Sequence, residues 1–233
     1  MQFKIKNIFP FLKRLLLFVV TTLISCYNCS AQQKDFEGIF SINLEKKISR
    51  SFSIGVLQQN AFNQNLNELG YWFLEAGLDY RLTRNFTLSG AYRYMERRNR
   101  GNFYHTRQLL IGDFTYSKSV KRFSFSMRAR FQNMYYGDLL ETDYRAPKLY
   151  NRDRFTLRYK INYYLAPYIS TEIFFPLNNP VNKSMNQVRG TIGFFYQFNE
   201  RFKTEIYYQV QQQLNVKNKY TYYVLSLNLY YKL

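Results

Sequence analysis

Arg122-Phe123-Ser124-Phe125-Ser126-Met127-Arg128-Ala129-Arg130-Phe131 carries an apolar or small side chain at every second position and Ser or Arg between them. Successive side chains of an extended strand point to opposite faces, so this period builds a ribbon with one greasy and one charged face. The same pattern returns at Phe155, Leu157, Tyr159, Ile161 and Tyr163, set against Arg154, Thr156, Arg158, Lys160 and Asn162. It returns at Phe86, Leu88, Gly90, Tyr92 and Tyr94, set against Thr87, Ser89, Ala91, Arg93 and Met95, and the chain closes on Tyr223, Leu225, Leu227, Leu229, Tyr231 and Leu233. No stretch beyond residue 36 has the 3.6-residue period of a helix.

Working outward, eleven such segments are found, at 36–48, 51–62, 69–82, 85–97, 104–117, 121–136, 152–165, 168–177, 185–198, 201–213 and 220–233. Most are far longer than the five or six residues of an ordinary soluble strand. Tight turns are expected at Ser49-Arg50, Thr83-Arg84, Ser119-Val120, Ala166-Pro167 and Asn199-Glu200, with polar loops at 63–68, 98–103, 137–151, 178–184 and 214–219. Short turns alternating with long loops describe an all-β, up-and-down antiparallel transmembrane barrel. A soluble barrel with an apolar interior is disfavoured by size, because about twelve strands enclose a lumen too wide for side chains to fill as a dry core. Single-chain bacterial barrels have an even strand number. The expectation is therefore about twelve strands, within a range of ten to twelve, with a short extra strand near 32–37. The pairs Tyr135-Tyr136, Tyr163-Tyr164, Tyr207-Tyr208 and Tyr230-Tyr231 are expected to contribute to interfacial aromatic belts.

The chain of 233 residues is 46% apolar and 20% aromatic, with only 10 Gly and 5 Pro, which is not the composition of a disordered chain. Lys4, Lys6, Lys13 and Arg14 precede the apolar stretch Leu15–Ile24, which is too short to span a bilayer and has the layout of an export signal. Cleavage after Ala31 is expected to leave a domain of residues 32–233. Leu23-Ile24-Ser25-Cys26 also fits lipidation at Cys26. Either way the mature fold has no disulfide framework, since Cys26 and Cys29 are the two cysteines. Without residues 1–31 the chain keeps 29 basic residues against 15 acidic ones, a net of +14.

Leu165-Ala166-Pro167-Tyr168-Ile169-Ser170-Thr171-Glu172-Ile173-Phe174-Phe175 forms a turn and strand with an inward Glu. Together with the basic strand of Arg152, Arg154 and Arg158, with Tyr92-Arg93-Tyr94 and with the closing strand, it resembles the outer-membrane barrels of domain of unknown function 2490. The likeness covers most of the mature chain. The resemblance implies a bacterial outer-membrane location and hands over no activity.

With the apolar face on lipid, the inward residues are Arg93, Arg97, Arg107, Arg128, Arg130, Arg154, Arg158, Lys160, Arg189 and Lys203, against Glu75, Asp79, Asp113, Glu172 and Glu205. A basic constriction favours anions, which gives a passive anion-preferring channel. The preferred alternative is a closed structural lumen cross-braced by ion pairs, with Glu172 clamped by Arg154 and Arg158. An enzyme of the lipid-hydrolysing type would use His105, the one histidine, which needs a hydroxyl within reach that the sequence does not place. A non-enzymatic barrel is expected, without cofactor or metal, because neither a phosphate loop nor His/Cys metal spacing occurs. The expected partners are outer-membrane lipid and lipopolysaccharide (the latter at Arg97, Arg98 and Arg100), the barrel-assembly machinery, and small anionic solutes. Nucleic acid is not expected, because basic residues are spread at period two rather than gathered in a patch.

Overall fold

The computed structural model describes residues 33–99, 103–137, 147–178, 184–215 and 219–233. The expected signal, Cys26, Cys29 and Arg100 lie outside the described residues. Eleven strands follow in order: β1 (Gln33–Lys47), β2 (Phe52–Asn63), β3 (Glu68–Arg81), β4 (Phe86–Arg98), β5 (Tyr104–Val120), β6 (Phe123–Tyr136), β7 (Lys148–Tyr159), β8 (Leu165–Pro176), β9 (Gln187–Gln197), β10 (Phe202–Gln213) and β11 (Tyr220–Lys232). Each strand pairs with its sequence neighbours, and β1 meets β11 to close a barrel. Every consecutive pair with a defined register is antiparallel.

The polarity is that of an object turned inside out. Among the described residues, nine apolar side chains are buried while forty large apolar ones are exposed, including Ile192, Ile169, Phe131 and Leu225. A soluble monomer does not expose an apolar surface of this extent, whereas a lipid-facing barrel must. Aromatic rings gather around the tight-turn end: Phe86 packs on Phe114 and Tyr116, Phe123 on Tyr159, Tyr196 on Tyr164 and Phe198, and Phe198 on Phe202. Adjacent residues of a strand face opposite ways, so a Tyr-Tyr pair within a strand gives only one ring to such a belt. Tyr207 accordingly points into the lumen, where it lines the same cavity as Tyr222 and Val224.

Four of the five tight turns share one device. Ile48-Ser49-Arg50-Ser51-Phe52, Leu82-Thr83-Arg84-Asn85-Phe86, Ile161-Asn162-Tyr163-Tyr164-Leu165 and Phe198-Asn199-Glu200-Arg201-Phe202 each place Ser, Thr or Asn one residue after an apolar one. That side-chain oxygen accepts the N–H groups two and three residues on, as Asn162 does from Tyr164 and Leu165 at 2.9 and 2.7 Å. Short oxygen-bearing side chains stabilise turns by this substitution for a backbone acceptor. Two expected turns move. Ala166 and Pro167 lie inside β8, and the chain reverses over residues 160–164, where Asn162 supplies the oxygen. The turn expected at Ser119-Val120 falls at Lys121 and Arg122, with Lys121 at φ 54°.

The count is eleven, one short of the preferred twelve, because residues 33–37 begin β1 rather than forming a strand of their own. With eleven alternating strands, β1 and β11 run the same way, so the seam is parallel. Leu233 N–H donates to the Glu45 carbonyl at 2.8 Å and Ser41 Oγ donates to Asn228 Oδ1 at 2.6 Å. Both contacts advance together along the two strands, as parallel neighbours require. The start of β1 therefore lies at the long-loop end, which in outer-membrane barrels faces the exterior. An epitope inserted at Lys34 is expected to be detected by antibody on intact cells; detection only after permeabilisation would mean an even-stranded barrel.

Candidate functional site

Alternation along β6 to β9 aims Arg128, Arg154, Glu172 and Arg189 into one level of the lumen, because these residues stand opposite one another in register, and Arg152, two residues before Arg154 on the same face of β7, reaches Glu172 from the next row. Arg154 faces Glu172 across the β7–β8 pair, and Glu172 faces Arg189 across β8–β9. The Glu172 carboxylate is 2% exposed and accepts from all four guanidiniums: Arg128 at 2.7 Å, Arg152 and Arg189 at 3.2 Å, and Arg154 at 3.3 Å. A buried carboxylate is tolerated only when paired and hydrogen-bonded, and this one is paired four times. Arg152 and Arg189 also lie over the Phe174 ring at 4.5 and 4.6 Å. Arg152 Nη1 donates to Gln132 and Arg189 Nε to Gln211.

Two further pairs are one-to-one. Arg130 makes a fork to Asp113, both bonds 2.7 Å, and Arg93 donates to Glu75 while stacking over Phe73 at 3.9 Å. Those pairs are neutral, but the Glu172 knot holds three positive charges in excess.

Below the knot, toward the tight turns, Glu205 forms an uncharged-donor network. Tyr168 and Tyr230 hydroxyls donate to it at 2.6 Å and Asn228 at 2.9 Å, while Asn228 accepts from Ser41 and Ser226. This net ties β8, β10, β11 and β1 together. Arg158 stacks over Phe195 at 4.2 Å, and Lys203 lies over Phe195 and Tyr230. Gly193 gives Tyr207 its place, since a Cβ there would stand 2.6 Å from the Tyr207 Cβ.

Above the knot a cavity of about 480 Å³ reaches Asn186, Gln187 and Gln213 beside the long loops. Arg97, Arg107 and Glu37 line its upper part, where Arg107 lies over Tyr136 and Arg97 over Tyr71.

Of the residues singled out from sequence, Arg128, Arg154, Glu172 and Arg189 meet at the knot, and Arg93 meets Glu75, with Arg107 and Arg130 on the same lumen wall. Two expectations are corrected. Arg158 does not clamp Glu172: it sits four residues from Arg154 along β7, about 13 Å away. Lys160 does not line the lumen, because β7 ends at Tyr159 and Lys160 is exposed in the turn. Arg152 was absent from the inward expectation although it shares parity with Arg154, the signal that finds it. His105 lies at the start of β5, where its Nε2 meets the Asn99 amide at 2.6 Å. Among the described residues, no group of three or more His, Cys, Asp or Glu could hold a metal.

A closed barrel with an apolar exterior and a charged lumen is a barrel of the outer-membrane type. Within that class the chain belongs to the family described as Protein of unknown function (DUF2490), whose model matches residues 38–222. The fold is similar to the solved NanC porin, at 12% identity and a TM-score of 0.51, over 85% of this chain and 99% of that one. It is also matched to the translocator domain of the autotransporter NalP from Neisseria meningitidis, at 10% identity and a TM-score of 0.47, over 75% and 72%. Among curated proteins, none matches the chain.

Proposed function

We propose that the protein is exported behind its 1–31 segment to the bacterial outer membrane, where its lumen passively admits small anions and catalyses nothing. The observation that carries the reading is the four-to-one ratio of guanidinium to carboxylate at Glu172. Cross-bracing alone is met by one carboxylate per guanidinium, as at Asp113 and Glu75. The surplus raises the local anion concentration in a low-dielectric, walled space and repels cations. The Glu205 net narrows the passage below, so conductance is small. Its partners are then outer-membrane lipid, lipopolysaccharide at the basic outer rim, the barrel-assembly machinery on insertion, and the anions themselves.

In planar bilayers the reconstituted protein is expected to give small, anion-selective currents. Arg128→Glu turns four-to-one into three-to-two and is expected to reduce that selectivity. Cation selectivity in the wild type, or selectivity indifferent to Arg128→Glu, would sink the proposal. A silent bilayer with intact, heat-modifiable folding would leave a closed scaffold.

The alternative of a lipid hydrolase rests on His105, whose hydrogen-bond partner is an amide, not a nucleophilic hydroxyl. His105→Ala is expected to leave outer-membrane lipid composition unchanged; loss of a deacylated product in that variant would make the barrel an enzyme.

A further inference from the structure

The cavity above the knot has two unlike walls. On β3 to β6, Phe73, Met95, Leu109 and Met134 form one buried apolar cluster, each 9% exposed or less. On β6 to β9 stand the arginines of the knot, and both sets line the same space of about 480 Å³. An inorganic anion uses only the second wall. An apolar wall inside a polar lumen removes water-facing area without bracing anything by charge, and its two methionines adapt their shape to what lies against them.

The arginine wall has donors to spare. Four guanidiniums carry about twenty N–H groups, while one carboxylate offers about four acceptor sites. The Nε–H groups of Arg128, Arg152 and Arg154 are buried and make no hydrogen bond among the described residues. Planar guanidinium forks match a carboxylate edge, as Arg130 does at Asp113, whereas Arg152 reaches both oxygens of Glu172 through its single Nη2.

Resting on the anion-preferring lumen proposed above, we infer that this cavity binds an amphiphilic organic carboxylate, one carrying an aryl or medium-length alkyl body. The head lies against Arg152 and Arg189 and the body against Leu109 and Met134. Arg152 stands opposite Arg130 in register, and Met134 is four residues further along β6, so the two subsites are about 13 Å apart along the strand. The cavity volume is within the range of small-ligand pockets, about 300–1,000 Å³.

The test is equilibrium binding to the full barrel in lipid nanodiscs, with empty nanodiscs subtracted, using phenylhexanoate, acetate and neutral phenylhexanol as probes. Saturable phenylhexanoate binding is expected, with acetate and phenylhexanol each weaker by about tenfold or more, since each lacks one half of the recognition. Met134→Gln, close to isosteric, is expected to weaken phenylhexanoate several-fold while leaving ion selectivity in bilayers as in the wild type. Should Met134→Gln misfold, Leu109→Met serves as a volume-conserving variant expected to retain binding. Equal affinity for acetate and phenylhexanoate, or no saturable binding of any probe, would overturn the inference and leave anion selectivity standing on its own measurement. Phenylhexanol binding as tightly as phenylhexanoate would also overturn the inference, since the arginine wall would then add nothing to recognition, while selectivity in bilayers still decides the lumen reading.

Discussion

Glu172→Gln is expected to destabilise the barrel more than any other single change in the lumen. The carboxylate is 2% exposed and is shared by four guanidiniums. Its neutral amide leaves those guanidiniums facing one another without a counter-charge. Removing one partner of a buried ion pair costs about 3–5 kcal/mol, because the remaining charge is left uncompensated. Here four charges are left rather than one, although the cavity beside them supplies some screening, which keeps the expected loss within that range. Asp113→Asn and Glu75→Gln each orphan one guanidinium and are expected to cost less. The measurement is the unfolding midpoint in urea, read from heat-modifiable migration. A second variant separates charge from shape: adding Arg152→Gln to Glu172→Gln removes one of the opposing charges and is expected to recover part of the loss. An unchanged midpoint for Glu172→Gln would show that the knot is not a structural centre.

Ile192→Arg is expected to cost nearly as much, for a different reason. Ile192 is 61% exposed in the middle of β9, between Ile169 of β8 and Tyr208 of β10 in register, on the outward face. Arginine at the lipid face of a transmembrane barrel costs about 2–4 kcal/mol near the bilayer midplane and little at the interfaces. On a soluble barrel the same exposed position would accept Arg at no cost. Folding yield into lipid vesicles, compared with Ile192→Leu, is expected to fall sharply for Arg alone. Equal yields would overturn the membrane-facing reading of the exterior, whatever the lumen does.

The two variants probe opposite faces of neighbouring strands, and the difference follows from period two. Glu172 and Ile173 are adjacent in sequence, yet one is buried among guanidiniums and the other faces outward. That much was legible from residues alone: eleven segments, the charged inward face, and the inward direction of Arg93, Arg107, Arg128, Arg130, Arg154, Glu172 and Arg189. Four of the five tight turns are legible as well, from the Ser, Thr or Asn that follows an apolar residue, and Asn162 is a stronger turn signal than Pro167. Proline punctuates chains strongly, but it is accepted in a strand where its missing N–H breaks no essential bond. A Tyr-Tyr pair inside a strand gives the belt one ring, whereas Tyr163 and Tyr164, in the turn before β8, are both exposed.

Alternating residue chemistry by itself determined that this protein is a barrel with a greasy outside and a basic inside, because side-chain direction in a strand follows from covalent geometry. Tertiary structure decided what alternation cannot carry. Register and strand tilt chose which arginines reach Glu172, bringing in Arg152 from β7 and Arg189 from β9 while leaving Arg158 over Phe195. Closure chose eleven strands and a parallel seam, since a ring satisfies its edge hydrogen bonds whichever way the last strand runs. Charge ratio at a point, the quantity on which the proposed preference for anions rests, exists only once strands distant in sequence share one level of the barrel.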